Sequence, residues 1–497
     1  MSINLLRNSK VYFTTNVGTA DPNVGVINYD SAFSAASVNT WEIQVLDDLS
    51  FNQTTAVETI AVNETGTAPI RGQRSFNTAL NPVDFNFTTY MRPKDQNIGG
   101  AITGISVTFN GTAIGTGNPA TSYGPRTRIT CALPSAAATA RAAQLYPMFG
   151  ATGTATANQL VGIGIADGGA GYSTGALTFN IFDPDSTSES GTIAINIDTV
   201  AGSAATKIVA EESVLWNAMF SDAALGSGGS TAWSETGSGG SNPAICTLNN
   251  SNKHQMQRFG LIVIFDQNVF LLDDCSLNTA TIDFGIDAIA SIQWSGQARA
   301  VRRYTYSDWV TTTSWSTSSY VPAIKDAPFI ANKLSTVTLK AGIGSMGTLP
   351  ASGSTYVMPL TGGSITLTNN ITYLTPAYMA SVNQPITYFT GSRSITGSLS
   401  AYLRTGSGGT KYSADLFSDL VGQVTTDSDP EFYLQVEIGG TGSSTKVELE
   451  MPGVVLTIPT VNAESVITTT VNFTAQGTAS NAFDIIQDNE IRLKYYA

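Results

Sequence analysis

The chain has 497 residues, of which 12% are charged and 42% hydrophobic, with 47 glycines and a formal net charge of −13. Its length suits roughly two to four domains of about 150 residues, and so much apolar content excludes a disordered chain, which combines low hydrophobicity with high net charge. The acidic balance repels nucleic-acid phosphate, excluding a coat protein or sequence reader but not a surface past which DNA slides.

The opening MSINLLRNSK has no basic segment followed by an apolar one, so no secretory signal is expected. No apolar run approaches the roughly 18 residues of a membrane span, so no membrane partner is expected and the protein is read as made in a cytoplasm and soluble there. Trp41-Glu42-Ile43-Gln44-Val45-Leu46 and Asp84-Phe85-Asn86-Phe87-Thr88 largely alternate apolar and polar residues. A period of two places one face on a core and the other on solvent or a partner. Between 94 and 206 come Ile105–Phe109, the Gly-rich stretch Ile163–Asn180 and Thr192–Ile197, short strands separated by turns, with a weak Ala-rich helical candidate at Ser135–Leu145. A stronger helix is expected at Glu211–Phe220 (EESVLWNAMF), followed by the Gly/Ser stretch Gly226–Ser241, which has the composition of a flexible excursion. Ser398–Tyr402 alternates again, and Tyr412–Val421 (YSADLFSDLV) is the second helix.

The order of these elements repeats. Tyr90-Met91-Arg92 ends one alternating strand and Tyr402-Leu403-Arg404 another, while Val83, Phe85 and Phe87 correspond to Ile395, Gly397 and Leu399. Ser50-Phe51-Asn52 corresponds to Ser364-Ile365-Thr366, and Leu215, Trp216 and Met219 to Leu416, Phe417 and Leu420. Ile292, Trp294 and Gln297 align with Val471, Phe473 and Gln476, Leu277 with Leu456, and the leader Asn8–Phe13 with Lys333–Thr338. The first copy carries extra residues between strand and helix, and more between helix and final strands. The reading is one β fold used twice: 1–93 plus 207–305, then 325–497, with a linker at 306–324 and a small β-sandwich-like decoration inserted at 94–206.

Residues that could carry chemistry are few. His254 is the single histidine, and no G-x-S-x-G elbow accompanies it. Asp47-Asp48 and Asp273-Asp274 could suggest a carboxylate or calcium site, but each pair falls at a strand–turn junction and is read as solvated turn residues. Asp183-Pro184-Asp185 lacks the spacing and closing Glu of a calcium loop. Gly162-Ile163-Gly164 and Gly168-Gly169-Ala170-Gly171 open no helix and have no following Lys-Ser/Thr, which argues against a phosphate cradle. Cys131, Cys246 and Cys275 are too scattered for a disulfide framework and read as small buried hydrophobes. Trp216 and Trp294 lie on apolar faces of repeated elements and are expected in the core. Trp41, Trp216, Trp294, Trp309 and Trp315 could each stack a sugar, core packing being the better reading for Trp216 and Trp294, and Trp309 and Trp315 could instead anchor the linker. No catalytic, cofactor-binding or metal-ligating residue is assigned, no cofactor is expected, and the chain is read as non-enzymatic.

Long alternating strands, one packed helix, then a hairpin ending in Thr468–Phe473 (TTTVNF) or Ser291–Trp294 (SIQW) make an order that resembles the tail tube proteins of long-tailed bacteriophages. VNAESVITTTVNFTAQGT and the terminal YYA are similar to that family's last strands, and IADGGAGYSTGALTFNI resembles a Gly-Tyr motif of phage structural proteins. The resemblance covers 1–93, 210–305 and 325–497; the insertion departs from the minimal pattern. It implies a mainly β chain with two tandem β-sandwich or half-barrel folds, each flanked by a helix, whose inward sheets join neighbours into a large barrel around a lumen for DNA. It also implies six tube folds per ring, hence a ring of three chains, stacked rings, and a place in the virion tail. The implied partners are other copies of the chain, the tape measure, baseplate and terminator proteins, and a sheath where the tail has one, with DNA only as passing cargo. Two alternatives stay open: another tail component with the same fold, such as a baseplate hub or tube initiator or terminator, and an adhesin that binds glycans through the insertion.

Overall fold

The computed structural model describes residues 9–15, 17–21, 24–27, 40–60, 73–96, 101–109, 112–113, 120–122, 127–130, 142–149, 159–182, 191–200 and 207–223. It also describes 231–234, 243–248, 256–265, 268–305, 321, 323–324, 327–375, 383–406, 410–424, 431–439, 445–463, 466–478 and 488–497. The chain is mainly β, with two α-helices among these residues, α1 (Ser213–Phe220) and α2 (Ser413–Val424).

Two sets of strands carry most of the architecture. The first comprises β1 (Ser9–Thr14), β2 (Ser50–Ile60), β3 (Arg74–Tyr90), β4 (Phe259–Phe265), β5 (Asn268–Asp283) and β6 (Ser291–Ala298). The second comprises β7 (Thr336–Ala341), β8 (Leu360–Thr368), β9 (Ser394–Tyr402), β10 (Glu431–Gly439), β11 (Lys446–Leu456), its continuation β12 (Thr460–Asn462), and β13 (Thr468–Ala475). In the first set the antiparallel pairing runs β1-β4-β5-β6-β3-β2. In the second it runs β7-β10-β11-β13-β9-β8, with β12 also on β13. Even an irregularity recurs: register slips between Phe259 and Leu261 opposite β5, and between Phe432 and Leu434 opposite β11. A bulge bends a strand and tightens its twist, so a matched bulge shapes both sheets alike.

Register also refines the sequence alignment. Gly296 lies opposite Phe85, and Gly397 opposite Phe473. A Cβ on either glycine would collide with the facing ring. The aromatic therefore sits on β3 in one set and on β13 in the other, with glycine across the ladder each time. This register places Trp294 opposite Phe87 and Val471 opposite Leu399.

Both helices contribute to the core, α1 through Leu215 and Trp216 and α2 through Leu416 and Leu420. The backbone N–H of Arg92 donates to Glu212 just before α1, and the N–H of Arg404 donates to Ser413 at the start of α2. Trp216 and Trp294 are fully buried and meet edge to face at 4.8 Å, as expected of core residues. Each indole N–H has an acceptor, Tyr495 at 2.7 Å and Thr89 at 2.9 Å. The C-terminal strand β14 (Arg492–Tyr496) pairs with Ala244–Thr247 on one side and with Lys446–Glu450 of β11 on the other, tying the two strand sets together.

Strands between 102 and 200 form separate sheets, one of five strands and one of three. They enclose their own cluster of buried residues, including Ile163, Phe179, Ile193 and Ile195. The chain enters this region along Pro93–Gln96 and leaves along Lys207–Ala210, and these two segments pair antiparallel. Two expectations need correction. Gln144 and Leu145, read as the end of a helix, belong to the strand Gln144–Phe149, where Leu145 supplies apolar core; residues 135–141 of that candidate lie outside the described residues. Within Gly226–Ser241, Trp233–Ser234 form a short strand on Cys246 and Ile245, and Trp233 is buried against Tyr495. Burying an indole outweighs the solvation of its Gly/Ser surroundings.

Candidate assembly surface

A single face runs across both strand sets. The sheet order β2-β3-β6-β5-β8-β9-β13 is continuous because Thr279–Asp283 at the end of β5 pair with Thr368–Ser364 of β8. Alternation sends Phe87, Trp294, Ala280, Leu367, Ile395 and Phe473 to the core. The opposite side shows rows of small polar residues. One row reads Ser50, Asn86, Ser295, Thr279, Thr368, Ser394 across successive strands. The next reads Thr88, Gln293, Thr281, Thr366, Thr396, Thr474. Hydroxyls bridge neighbours along these rows, as in Thr281–Thr366 at 3.2 Å and Thr279–Ser295 at 2.5 Å. The charged members flanking the rows are Asp84 and Asp283, both acidic. Thr and Ser are compatible with extended backbone and with water, so this face is wet without being sticky toward anions.

Two edges of this sheet have no partner strand among the described residues. One is β2, bonded only to β3. The other is β12, bonded only to β13. Apolar side chains lie beside both: Val57, Ile60 and Phe76 near the first, and Ile458, Val461, Val466 and Ile467 near the second. An unpaired edge is a template for another strand, so these two are candidate contact surfaces.

Buried charge is spent on holding the fold. Asp273 and Asp274 are fully buried within β5, not solvated turn residues as the sequence suggested. Asp273 receives Arg302 in a two-pronged contact at 2.6 and 2.7 Å. Asp274 sits at the bulge with φ of 53°, and Arg258 approaches its carboxylate at 3.4 Å. Burial pushes the Asp274 carboxyl up to about 6, against the pull of Arg258 and Arg299. Burial likewise raises Glu211 to about 8 and Glu212 to about 7, each opposed by hydrogen bonds and by Arg92. The cleft lined by Lys10, Glu42, Gln44, Arg92 and Phe329 is equally occupied with itself. Lys10 pairs with Glu42 at 3.4 Å, and Arg92 donates to Gln44 and the Ala327 carbonyl while lying over the Phe329 ring.

The remaining sequence candidates scatter. Asp47 and Asp48 are exposed in a turn, where Asp48 accepts from Thr88. Gly162 and Gly164 lie inside a strand, and Gly169 and Gly171 adopt positive φ in the turn after it. Cys246 and Cys275 are buried and unbridged. Trp41 is half-buried against Phe13. Cys131, Asp183, Asp185, His254, Trp309 and Trp315 lie outside the described residues. Among the described residues no group of three or more His, Cys, Asp or Glu side chains could hold a metal ion, and no helix is long and apolar enough to cross a membrane. The β5–β8 junction and the two open edges were missed by sequence reading, although the matched offsets of Ser50 with Ser364 and of Leu277 with Leu456 locate them.

No protein-family profile matches the chain. A curated relative, the tail tube protein pb6 of Escherichia phage T5, is 24% identical over 486 residues, covering 96% of this chain and 73% of the relative. That likeness agrees with the resemblance to phage tail tube proteins read from the sequence, and it embraces both strand sets and the region between them: over nearly its whole length, the chain is similar to a phage tail tube protein.

Proposed function

We propose that the chain is a non-enzymatic structural protein of a phage tail that self-assembles into stacked rings, forming the tube through which DNA is ejected. The observation that carries this reading is the near full-length similarity to a tail tube protein. The continuous polar face without Lys or Arg in its rows supports it, since a polyanion passes such a surface without adhering. The common pairing order of the two strand sets supports a tube fold present twice, at 1–93 plus 207–305 and at 325–497, joined by 306–324. The separate core between 102 and 200 supports an outward decoration at 94–206. With six tube folds to a ring, three chains close it through head-to-tail contacts. Other copies of the chain and the tail proteins at the tube's ends are the partners, with DNA as cargo and the virion tail as location.

Electron microscopy of the purified protein tests this. Rings or tubes with a central hole, three chains and three projections per ring are expected. Rings of six chains would overturn the count, and a protein that stays monomeric at every concentration would overturn the tube.

A further inference from the structure

Residues 321–332 lie between the first strand set and the second, and their described members are strapped onto the first. Val321 donates to the Thr40 carbonyl and accepts from the Glu42 N–H, and the Ile330 carbonyl accepts from Ala290. The Arg92 guanidinium donates to the Ala327 carbonyl at 2.9 and 3.2 Å and lies over the Phe329 ring. Arg92 is also the last residue before the neck formed by Pro93–Gln96 and Lys207–Ala210, and Glu211 and Glu212 are the first two after it. Ile324 and Ala327 of the strap are buried with Val209 of the neck. Neck and strap therefore meet at one charge cluster.

The cluster holds more acid than base. The Gln44 N–H donates to the Glu211 carboxylate and the Arg92 N–H to Glu212 at 3.3 Å, while the guanidinium also donates to the Gln44 side chain at 2.5 Å. Tyr495 hydrogen-bonds Glu212, whose second oxygen is buried without a hydrogen-bond partner. Arg92 is the cation that acts on both carboxyls. Glu42 adds negative charge beside Glu211 and is itself paired with Lys10 at 3.4 Å. Lys94 is buried in the neck opposite Val209, and Asp47 lines the adjoining cleft of about 530 Å³. Burial pushes the Tyr495 hydroxyl and the Cys246 thiol well above their usual values, so neither ionises near neutrality. Two carboxyls thus share one guanidinium, and ionising both leaves a negative charge uncompensated beside the fully buried Glu212. We propose that Glu211 and Glu212 form a proton-operated latch: with a proton on the pair, Arg92 locks the neck and the strap into one body, and loss of that proton frees both.

Glu211 is partly exposed, which gives the proton a way out to solvent. Once it leaves, the two adjacent carboxylates repel, and the guanidinium is drawn from the Ala327 carbonyl toward the second carboxylate. Water enters from the cleft that Gln44 lines. The sign follows from burial, which holds Glu211 at about 8 and Glu212 at about 7, above the ordinary 4.5. The contribution to closure is complete below about pH 4.5 and gone above about pH 8. Between these limits each opening releases a proton, so the open population grows as the pH rises.

Hydrogen exchange of the full chain, read by mass spectrometry between pH 5.5 and 8.5 and corrected for the intrinsic rate at each pH, tests the latch. Amides of the neck and of 321–332 are expected to lose protection by about tenfold or more across this range, while the β3–β6 ladder serves as the internal reference. In E211Q/E212Q, which keeps neutral hydrogen-bonding side chains at both places, that loss is expected to vanish. D274N, which removes the other raised carboxyl, is expected to leave it intact. The proposal is overturned if the neck and strap of the unsubstituted protein follow the reference ladder, or if the double variant shows the same loss. Should the double variant fail to fold, E211Q alone decides: a weaker pH dependence than in the parent upholds the latch, and an unchanged one overturns it. The readout needs no ring, so its outcome is separate from that of the tube reading.

Discussion

Asp274 shows how a single buried carboxylate sets a pH dependence. Its value in the fold is about 6, above the ordinary 3.8, because burial penalises the ion more than Arg258 and Arg299 reward it. The folded protein then holds that proton more tightly than the unfolded chain. This contribution to stability is complete below about pH 4 and is lost as the pH rises through 6. Asp274→Asn removes the titration, and Asn tolerates the positive φ found there. The variant is expected to gain stability over the parent at pH 8, on the order of 2 kcal/mol, and to lose that advantage near pH 4. Thermal melts at the two pH values check it; an equal difference at both would refute the assignment. Tyr495 makes a complementary case. Its hydroxyl accepts the Trp216 N–H, and both rings are completely buried. Tyr495→Phe keeps the ring but strands a buried donor, which costs about 1–3 kcal/mol. Urea unfolding is expected to shift to a lower midpoint, and an unchanged midpoint would mean that another acceptor takes over.

Among the elements, the antiparallel pair Pro93–Gln96 and Lys207–Ala210 is the neck of the region between 102 and 200. Paired strands lie about 5 Å apart, so the chain can be rejoined just above the neck without stretching the sheets below. Deleting Gly99–Ala205 with a short Gly/Ser bridge is therefore expected to leave soluble, ring-forming protein, scored by microscopy. Loss of all soluble protein would place those residues in the structural core instead. Much of this element plan was legible in the sequence. Period-two runs marked β3 and β9, and the apolar spacing of LWNAMF and LFSDL marked α1 and α2. Asp273 and Asp274 were misread because acidic pairs usually punctuate turns, whereas here Arg302 and Arg258 reach in from elsewhere in the chain. Trp233 was hidden by Gly and Ser neighbours, since local composition says nothing about a distant Tyr495. The β5–β8 joint was invisible because pairing between distant strands leaves no local periodicity; only the alignment of the two halves points to it.

For the molecule as a whole, net charge and the placement of charge must be separated. A charge of −13 opposes DNA at long range, yet a basic stripe on one face would still bind it locally. The polar rows carry no such stripe. From Ser50 to Ser394 and from Thr88 to Thr474 the members are hydroxyl and amide side chains, flanked by Asp84 and Asp283. With no cation to replace the ions around phosphate, no counterion release favours binding. Assembled protein is expected to show no measurable affinity for duplex DNA even at low salt, where phosphate attraction is strongest. The same logic predicts how to create affinity. Gln293 and Thr396 are exposed on this face and separated by two intervening strands, so Gln293→Lys and Thr396→Lys add cations that do not oppose each other directly. The double variant is expected to bind DNA with an affinity that falls as salt rises, by roughly 0.9 in log K per log salt for each phosphate engaged. Titrations at several salt concentrations measure that slope. Tight, salt-sensitive binding by the unsubstituted protein would show that the face holds DNA and does not let it pass.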